Sequence, residues 1–124
     1  MNIMSYRKLE IWQISRELVI EIHAITMKLP GFEKNEIGRQ IRRSVKSTKS
    51  NIVEGYGRRK YIKDYIRFII YALSSNDETI DHLETLFETQ SLKNKELYEN
   101  LHDRLNLLGI KLNHFLKVLE KRNN

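Results

Sequence analysis

The chain of 124 residues contains no cysteine. That absence removes disulfide scaffolds, thiolate metal sites and cysteine nucleophiles together, and it accords with a reducing compartment. Proline occurs once, at Pro30, and glycine five times. A β-rich architecture, with turns roughly every 8 to 12 residues, would consume more of both. No apolar run approaches the roughly 18 residues of a membrane span. The opening MNIMSYRKLEIWQ carries charge by Arg7 and has no apolar leader segment, so the expected location is the cytoplasm, with no membrane partner. Gly-rich phosphate loops, Gly-x-Ser-x-Gly elbows and Asp-rich cation loops are missing as well.

What is present is helical periodicity. Ile11, Ser15, Leu18, Ile22, Ile25 and Leu29 recur at spacings of four and three, which predicts a helix over about 5–29, closed by Pro30 and Gly31. A second helix is expected over about 35–56, with Ile37, Ile41, Ser44, Val45, Thr48 and Ile52 on one face and Gly55 and Gly57 at its end. The third, over about 61–90, keeps the rhythm through Ile62, Ile66, Ile69, Leu73, Asn76, Ile80, Leu83 and Phe87. Asn76 is the one polar residue of that seam and is read as structural. The fourth, over about 95–120, repeats it with Leu97, Leu101, Leu105, Leu108, Leu112, Phe115 and Leu119. Short connections make successive helices antiparallel neighbours. The expected fold is therefore all-α, an up-down-up-down antiparallel four-helix bundle forming a single domain over residues 1–124. Opposite the seam of the third helix, Phe68, Tyr71 and Leu86 fall together with Ser75 and His82 between them, which predicts a second buried contact and hence a homo-oligomer.

Charge is regional. Of the net +6, residues 39–67 contribute ten basic against two acidic side chains, or +8, leaving −2 for the remainder. Arg39, Arg42, Arg43, Lys46 and Lys49 lie within an arc of about 120° on the second helix. Arg58, Arg59, Lys60, Lys63 and Arg67 continue the positive field around the turn into the third. Phosphate backbones suit such a surface, because each neutralised phosphate releases a counterion and Arg grips phosphate oxygens bidentately. Tyr56 and Tyr61 stand among these charges as stacking candidates for unpaired bases. RNA or DNA is the expected partner; the alternative is a protein-interaction scaffold whose basic face docks an acidic protein. Glu54, an acid within the basic stretch, is expected to pair with an Arg and to organise structure.

Catalytic patterns are sparse. Bundle-type di-metal sites require two inward Glu-x-x-His pairs, and the sequence has one, Glu99 with His102, with Glu99 on the outer side of its seam. No metal and no cofactor are expected. Arg16 and His23 meet the loosest form of the Arg and His spacing of four-helix RNases of the HEPN type, a short and permissive pattern. Glu78 and His82, one turn apart, read as a surface or interface pair. His102 and His114 have no evident partner. The reading is of a protein that is not an enzyme.

The opening SYRKLEIWQ, the central QIRRSVKSTKSNIVEGYGRR and the following DYIRFIIYALSS resemble, in order and spacing, the four-helix bundle proteins encoded in intervening sequences of bacterial 23S ribosomal RNA genes. The resemblance rests on Tyr6, Leu9, Trp12 and Gln13, then on Asn51, Ile52, Val53, Glu54, Gly55 and Arg58, then on Arg67 and Phe68. It extends through about Leu86. It implies a ring-like homopentamer without established enzymatic activity and with a nucleic-acid-binding role. The accessory proteins of diversity-generating retroelements look similar in fold and imply a protein partner such as a reverse transcriptase. Asn51, Glu54 and Gly55 are read as structural members of the central motif. Thr48 and Lys49 replace the Ile-Pro frequent in that family, and Ser74 replaces a usual Gly.

Overall fold

The computed structural model describes residues 5–124; residues 1–4, on which part of the leader reading rests, lie outside the described residues. A 3-10 turn, Tyr6–Lys8, precedes α1 (Glu10–Thr26), α2 (Gly31–Asn35), α3 (Ile37–Gly57), α4 (Ile62–Glu88) and α5 (Lys95–Asn123). Four of these helices are long, and among the described residues there is no strand. None of the helices is long and apolar enough to cross a membrane.

Local chemistry moves the ends of the expected helices. The Ser5 hydroxyl accepts the Arg7 amide at 3.2 Å and Leu9 is extended, so the chain turns before α1, which begins at Glu10 rather than Ser5. Tyr6 then lies edge-on to Trp12, 5.4 Å between ring centroids. α1 ends at Thr26, three residues short of the expected Leu29, with Met27 as its cap, and Pro30 and Gly31 instead open the short α2, the Pro30 carbonyl accepting the Lys34 amide at 2.8 Å. The helix expected from Asn35 is interrupted at Glu36, where φ −105° and ψ −100° leave the helical region. Glu33 makes this break stable. Its carboxylate is buried, accepting the Ile37 amide at 3.3 Å and the Ser91 hydroxyl at 2.6 Å. One side chain thus satisfies an orphan donor at the start of α3 and ties α2 to the α4–α5 connection.

Leu18, Ile22, Ile41, Val45, Ile52, Ile69 and Leu83 meet the α5 leucines 101, 105, 108 and 112 in one core. Contacts between α3 and α4 run Ser44 to Thr79, Ser47 to Ser75 and Gly55 to Phe68, so residue numbers fall along α4 as they rise along α3. The same inversion relates α4 to α5, through Tyr65 with Phe115, Asn76 with Leu105 and Glu84 with His102. Glu10 with Lys111 and Glu21 with Arg104 join α1 to α5.

The seam of α4 is rotated from the expected one. Its buried line is Tyr65, Ile69, Ala72, Asn76, Thr79, Leu83 and Leu86, while Ile62, Ile66, Leu73, Ile80 and Phe87 are half-buried beside it. The cause is that α4 packs on two neighbours. Toward α5, Tyr65 and Phe87 meet Phe115 and Tyr98, whereas toward α3 Ser75 and Thr79 bond Ser47 and Ser44 across a close approach. Leu86, expected on an outer face for self-association, is a core residue with 1% of its surface exposed. Phe68, Ser75 and His82 belong to the flank of α4 that lies against α3: Ser75 bonds Ser47, and Phe68 faces Gly55. A Cβ on Gly55 would lie 3.1 Å from both Phe68 Cβ and Tyr65 Cδ1, so a larger residue would need these neighbours to give by a few tenths of an ångström. Thr48 returns its hydroxyl to the Ser44 carbonyl, and α3 continues as helix through Lys49.

Candidate nucleic-acid interface

The ten basic side chains of residues 39–67 separate into groups with different local roles. Arg39, Arg43 and Lys46 are exposed on one face of α3, and among the described residues none lies within ion-pair distance of a carboxylate. The Arg39 Nε reaches the Asn35 carbonyl at 3.4 Å, which leaves its terminal nitrogens to solvent. Lys49 is half-buried at the edge of this face.

Arg42 departs from the expected phosphate-binding role. It turns inward, donating to the Lys34 carbonyl at 2.8 Å and to Thr26 Oγ1 at 3.0 Å. Thr26 passes its own proton to the Ile22 carbonyl at 2.7 Å. The guanidinium therefore joins the ends of α1 and α2 to α3, and it is a clamp of the fold. The helical arc that groups Arg42 with its neighbours is broad enough to include positions bordering the core, which is why the sequence pattern did not separate it.

At the α3–α4 turn the cations rest on aromatic rings. Arg59 lies 4.1 Å from the centroid of Tyr56 and donates to the Tyr56 carbonyl at 3.0 Å. Arg58 and Arg67 both approach the Phe68 ring, at 5.0 and 5.5 Å, and both face Asp64, at 3.8 and 3.2 Å. Glu54 pairs with an arginine as expected, Arg58 at 3.6 Å, one turn on and with both partners well exposed. Tyr56 is half-buried beneath Arg59, so it is not an open stacking platform. Tyr61 is 62% exposed and is the open one. Lys63 is exposed near it in sequence, and Lys60 lies 5.8 Å from the Tyr61 ring.

A groove of about 700 Å³ opens along the first half of α3, lined by Asn35, Glu36, Ile37, Arg39, Gln40, Arg43, Ser44 and Ser47 and, from α4, by Glu78, so that two carboxylates, Glu36 and Glu78, stand with its two arginines. Ser47, at one end of the groove, bonds Ser75 at 2.9 Å, and Asn51 donates to Ser47 Oγ at 3.1 Å and to its carbonyl at 2.9 Å. Glu78 lies 3.2 Å from His82, whose ring is largely buried. Sequence reasoning paired Glu78 with His82 and did not place Glu78 in one groove with Arg43. The spacing of Gln40, Arg43 and Ser47 along one side of α3 is the signal that could have done so.

His102 has a partner after all, with Nε2 2.8 Å from Glu84 and Nδ1 3.1 Å from the Asn106 amide, so both ring nitrogens are engaged. Arg16 and His23 are exposed on α1, seven residues or ~10 Å of helix apart. Glu99 is exposed, and among the described residues no group of three His, Asp or Glu gathers as a metal-ligand set. Phe68 and Tyr71 lie edge to face with 5.6 Å between centroids, and Tyr71 is 46% exposed. Asn76 is fully buried and donates to the Leu105 carbonyl at 2.9 Å, where Gly109 leaves room for its amide.

Comparison with known proteins places this geometry in a family. The profile of a family described as 23S rRNA-intervening sequence protein matches residues 7–114. A crystal structure of a protein of unknown function from the S23 ribosomal protein family of Bacteroides thetaiotaomicron VPI-5482 is similar, with a TM-score of 0.78 and 26% identity. The likeness covers 86% of this chain and 95% of that one. No functionally curated protein matches the chain.

Proposed function

The chain belongs to the 23S rRNA-intervening sequence protein family, and from that premise we propose that it is a non-enzymatic, cytoplasmic RNA- or DNA-binding protein. In this reading the protomer is an up-down-up-down antiparallel bundle, and protomers assemble as a ring-like homopentamer that repeats the basic face around the ring. The observation that carries the binding reading is the exposed set Arg39, Arg43 and Lys46, which among the described residues form no ion pair. Lys60, Lys63 and the open ring of Tyr61 extend it around the turn. Phosphates are held by the three α3 cations, Lys63 adds to the field, and Tyr61 stacks on an unpaired base. Arg58, Arg59 and Arg67, already on rings or Asp64, supply field more than contacts.

Fluorescence anisotropy with labelled RNA and DNA tests the reading. A variant with Arg39, Arg43 and Lys46 all changed to Glu, with helical circular dichroism unchanged, is expected to bind at least tenfold more weakly. Its affinity is also expected to depend less on salt, the slope falling by about 0.7 to 0.9 for each lost phosphate contact. Equal binding by this variant and the wild type overturns the assignment. Absence of binding by the wild type to either nucleic acid transfers the basic face to an acidic protein partner. Sedimentation of the wild type as a monomer at micromolar concentration removes the ring.

A further inference from the structure

We propose that the α3–α4 groove selects ribose over deoxyribose, a ribose 2′-hydroxyl donating to the Glu78 carboxylate while Arg39 and Arg43 hold the adjacent phosphates. This rests on the nucleic-acid reading above and assigns it a substrate class, single-stranded RNA.

The case begins with a carboxylate in the wrong place for phosphate binding alone. Glu78 lines the same groove as Arg39 and Arg43. A negative charge beside a bound phosphate repels it, weakly in a water-like medium and more strongly where water is excluded. A surface that binds phosphate only would be better without it. The repulsion is offset when the carboxylate accepts a hydrogen bond from the ligand, because charge-assisted bonds are the stronger class.

Glu78 is poised to accept one. One oxygen, Oε2, is held by His82 at 3.2 Å, which fixes the carboxylate at the groove wall. Among the described residues the other oxygen has no partner, and the side chain is 59% exposed. The neighbouring hydroxyls are engaged with each other, Ser47 with Ser75 and Ser44 with Thr79. That oxygen is therefore open to solvent, and a hydroxyl of the ligand can take the place of water on it.

Which donor follows from the arrangement of the cations. Arg39 and Arg43 are one helical turn apart, ~6 Å along the axis, a separation suited to neighbouring phosphates of a single strand. The donor that always accompanies two neighbouring phosphates, whatever the base sequence, is the 2′-hydroxyl of the ribose between them. It is the group by which a protein distinguishes RNA from DNA. Base amino groups are also donors, but their presence varies with sequence and they lie farther from the phosphates.

The test compares three labelled single strands of one uracil-containing sequence, with ribose, 2′-deoxyribose or 2′-O-methylribose throughout. The 2′-O-methyl strand keeps an acceptor but cannot donate. Wild type is expected to bind the ribose strand about tenfold more tightly than either of the others, the worth of one charge-assisted bond. In Glu78→Ala the three affinities are expected to converge within about twofold, partly because the deoxyribose strand gains affinity once the repulsion is gone. Glu78→Gln keeps an acceptor without the charge and is expected to retain a ribose preference of a few fold. Binding of all three strands by wild type with equal affinity overturns the ribose assignment and leaves the nucleic-acid reading standing. An unchanged ribose preference in Glu78→Ala does the same to the role of Glu78. Binding of none of the strands by wild type overturns both.

Discussion

Arg42 offers the sharpest separation of fold from function, because sequence grouped it with phosphate-binding residues and the structure turns it inward. Its guanidinium makes two hydrogen bonds, to the Lys34 carbonyl at 2.8 Å and to Thr26 Oγ1 at 3.0 Å. Gly38 keeps space for it, since a Cβ there would lie 3.2 Å from one guanidinium nitrogen and 2.8 Å from the Glu33 carbonyl oxygen. Arg42→Met retains most of the aliphatic stem and removes both bonds. Hydrogen bonds to charged groups contribute about 1.5 to 3 kcal/mol each in favourable cases. The half-buried site admits some water to the freed acceptors, so the expected net loss is about 2 kcal/mol. With a urea slope of about 1 to 3 kcal/mol per molar, the unfolding midpoint should fall by roughly 1 M. Affinity for labelled RNA should change by less than about threefold. Arg43→Met, on the exposed face, should give the reverse: stability within about 0.5 kcal/mol of wild type and several-fold weaker binding. If Arg42→Met leaves the midpoint unchanged and weakens binding as Arg43→Met does, the clamp argument is wrong and the undivided stripe is right.

Burial pushes the Tyr65 hydroxyl up to about 12, with the neighbouring Tyr56 adding to the shift. The phenol ionises in the unfolded chain near pH 10, before it does in the folded protein, so its contribution to stability is present below pH 10 and is lost as pH rises through about 12. Wild type should lose about 2 kcal/mol more over that interval than Tyr65→Phe, as read from urea midpoints; parallel curves would refute this. The Arg104 guanidinium, bidentate on Glu21, holds that carboxyl below its usual range, chiefly by hydrogen bonding. Both side chains are partly exposed, so a double-mutant cycle should give a coupling of only about 0.5 to 1 kcal/mol, present above the ordinary carboxylate range, lost as pH falls through the folded value, and reduced by salt. Gly55→Ala gains about 1 kcal/mol of helix propensity but forces α3 and α4 apart against Phe68 Cβ and the Tyr65 ring, each 3.1 Å from the added carbon. Overpacking at about 1 to 3 kcal/mol should prevail, and thermal unfolding at a higher temperature than wild type would contradict it.

Periodicity made the four long helices legible because apolar spacing averages over many turns and tolerates errors at single positions. It failed where one residue decides. The break at Glu36 depends on a carboxylate, Glu33, reaching Ile37 and Ser91, 58 residues apart in the latter pair. A reading of local pattern has no access to Ser91. The rotation of the α4 seam has a different origin. Ile62, Ile66, Leu73 and Ile80 are the larger apolar residues and fixed the expected stripe, yet Ala72 and Thr79 are more completely buried. Side-chain size reports which neighbour is farther away as well as what is inside, and at Ser75 and Thr79 α3 is near enough to α4 for their hydroxyls to bond across. The same rotation of the seam carries Leu86 into the core.

The candidate interface shows the complementary limit of charge counting. Ten cations in one segment describe a field, and at physiological salt that field decays over about 8 Å. Contact chemistry depends instead on which cations retain unengaged donors. Arg42 has given its donors to carbonyl and hydroxyl groups of the fold, and Arg58 and Arg67 share Asp64 and the face of Phe68. Arg39, Arg43 and Lys46 keep theirs, and of these the two arginines border the groove that contains Glu78. Removing a cation from the engaged group should change the salt dependence of association rates and leave dissociation nearly untouched. Removing one from the free group should act mainly on dissociation. The distinction rests on side-chain partners fixed by the packing of α3 against α1, α2 and α4, so the bundle itself determines which part of its positive charge is available to a ligand.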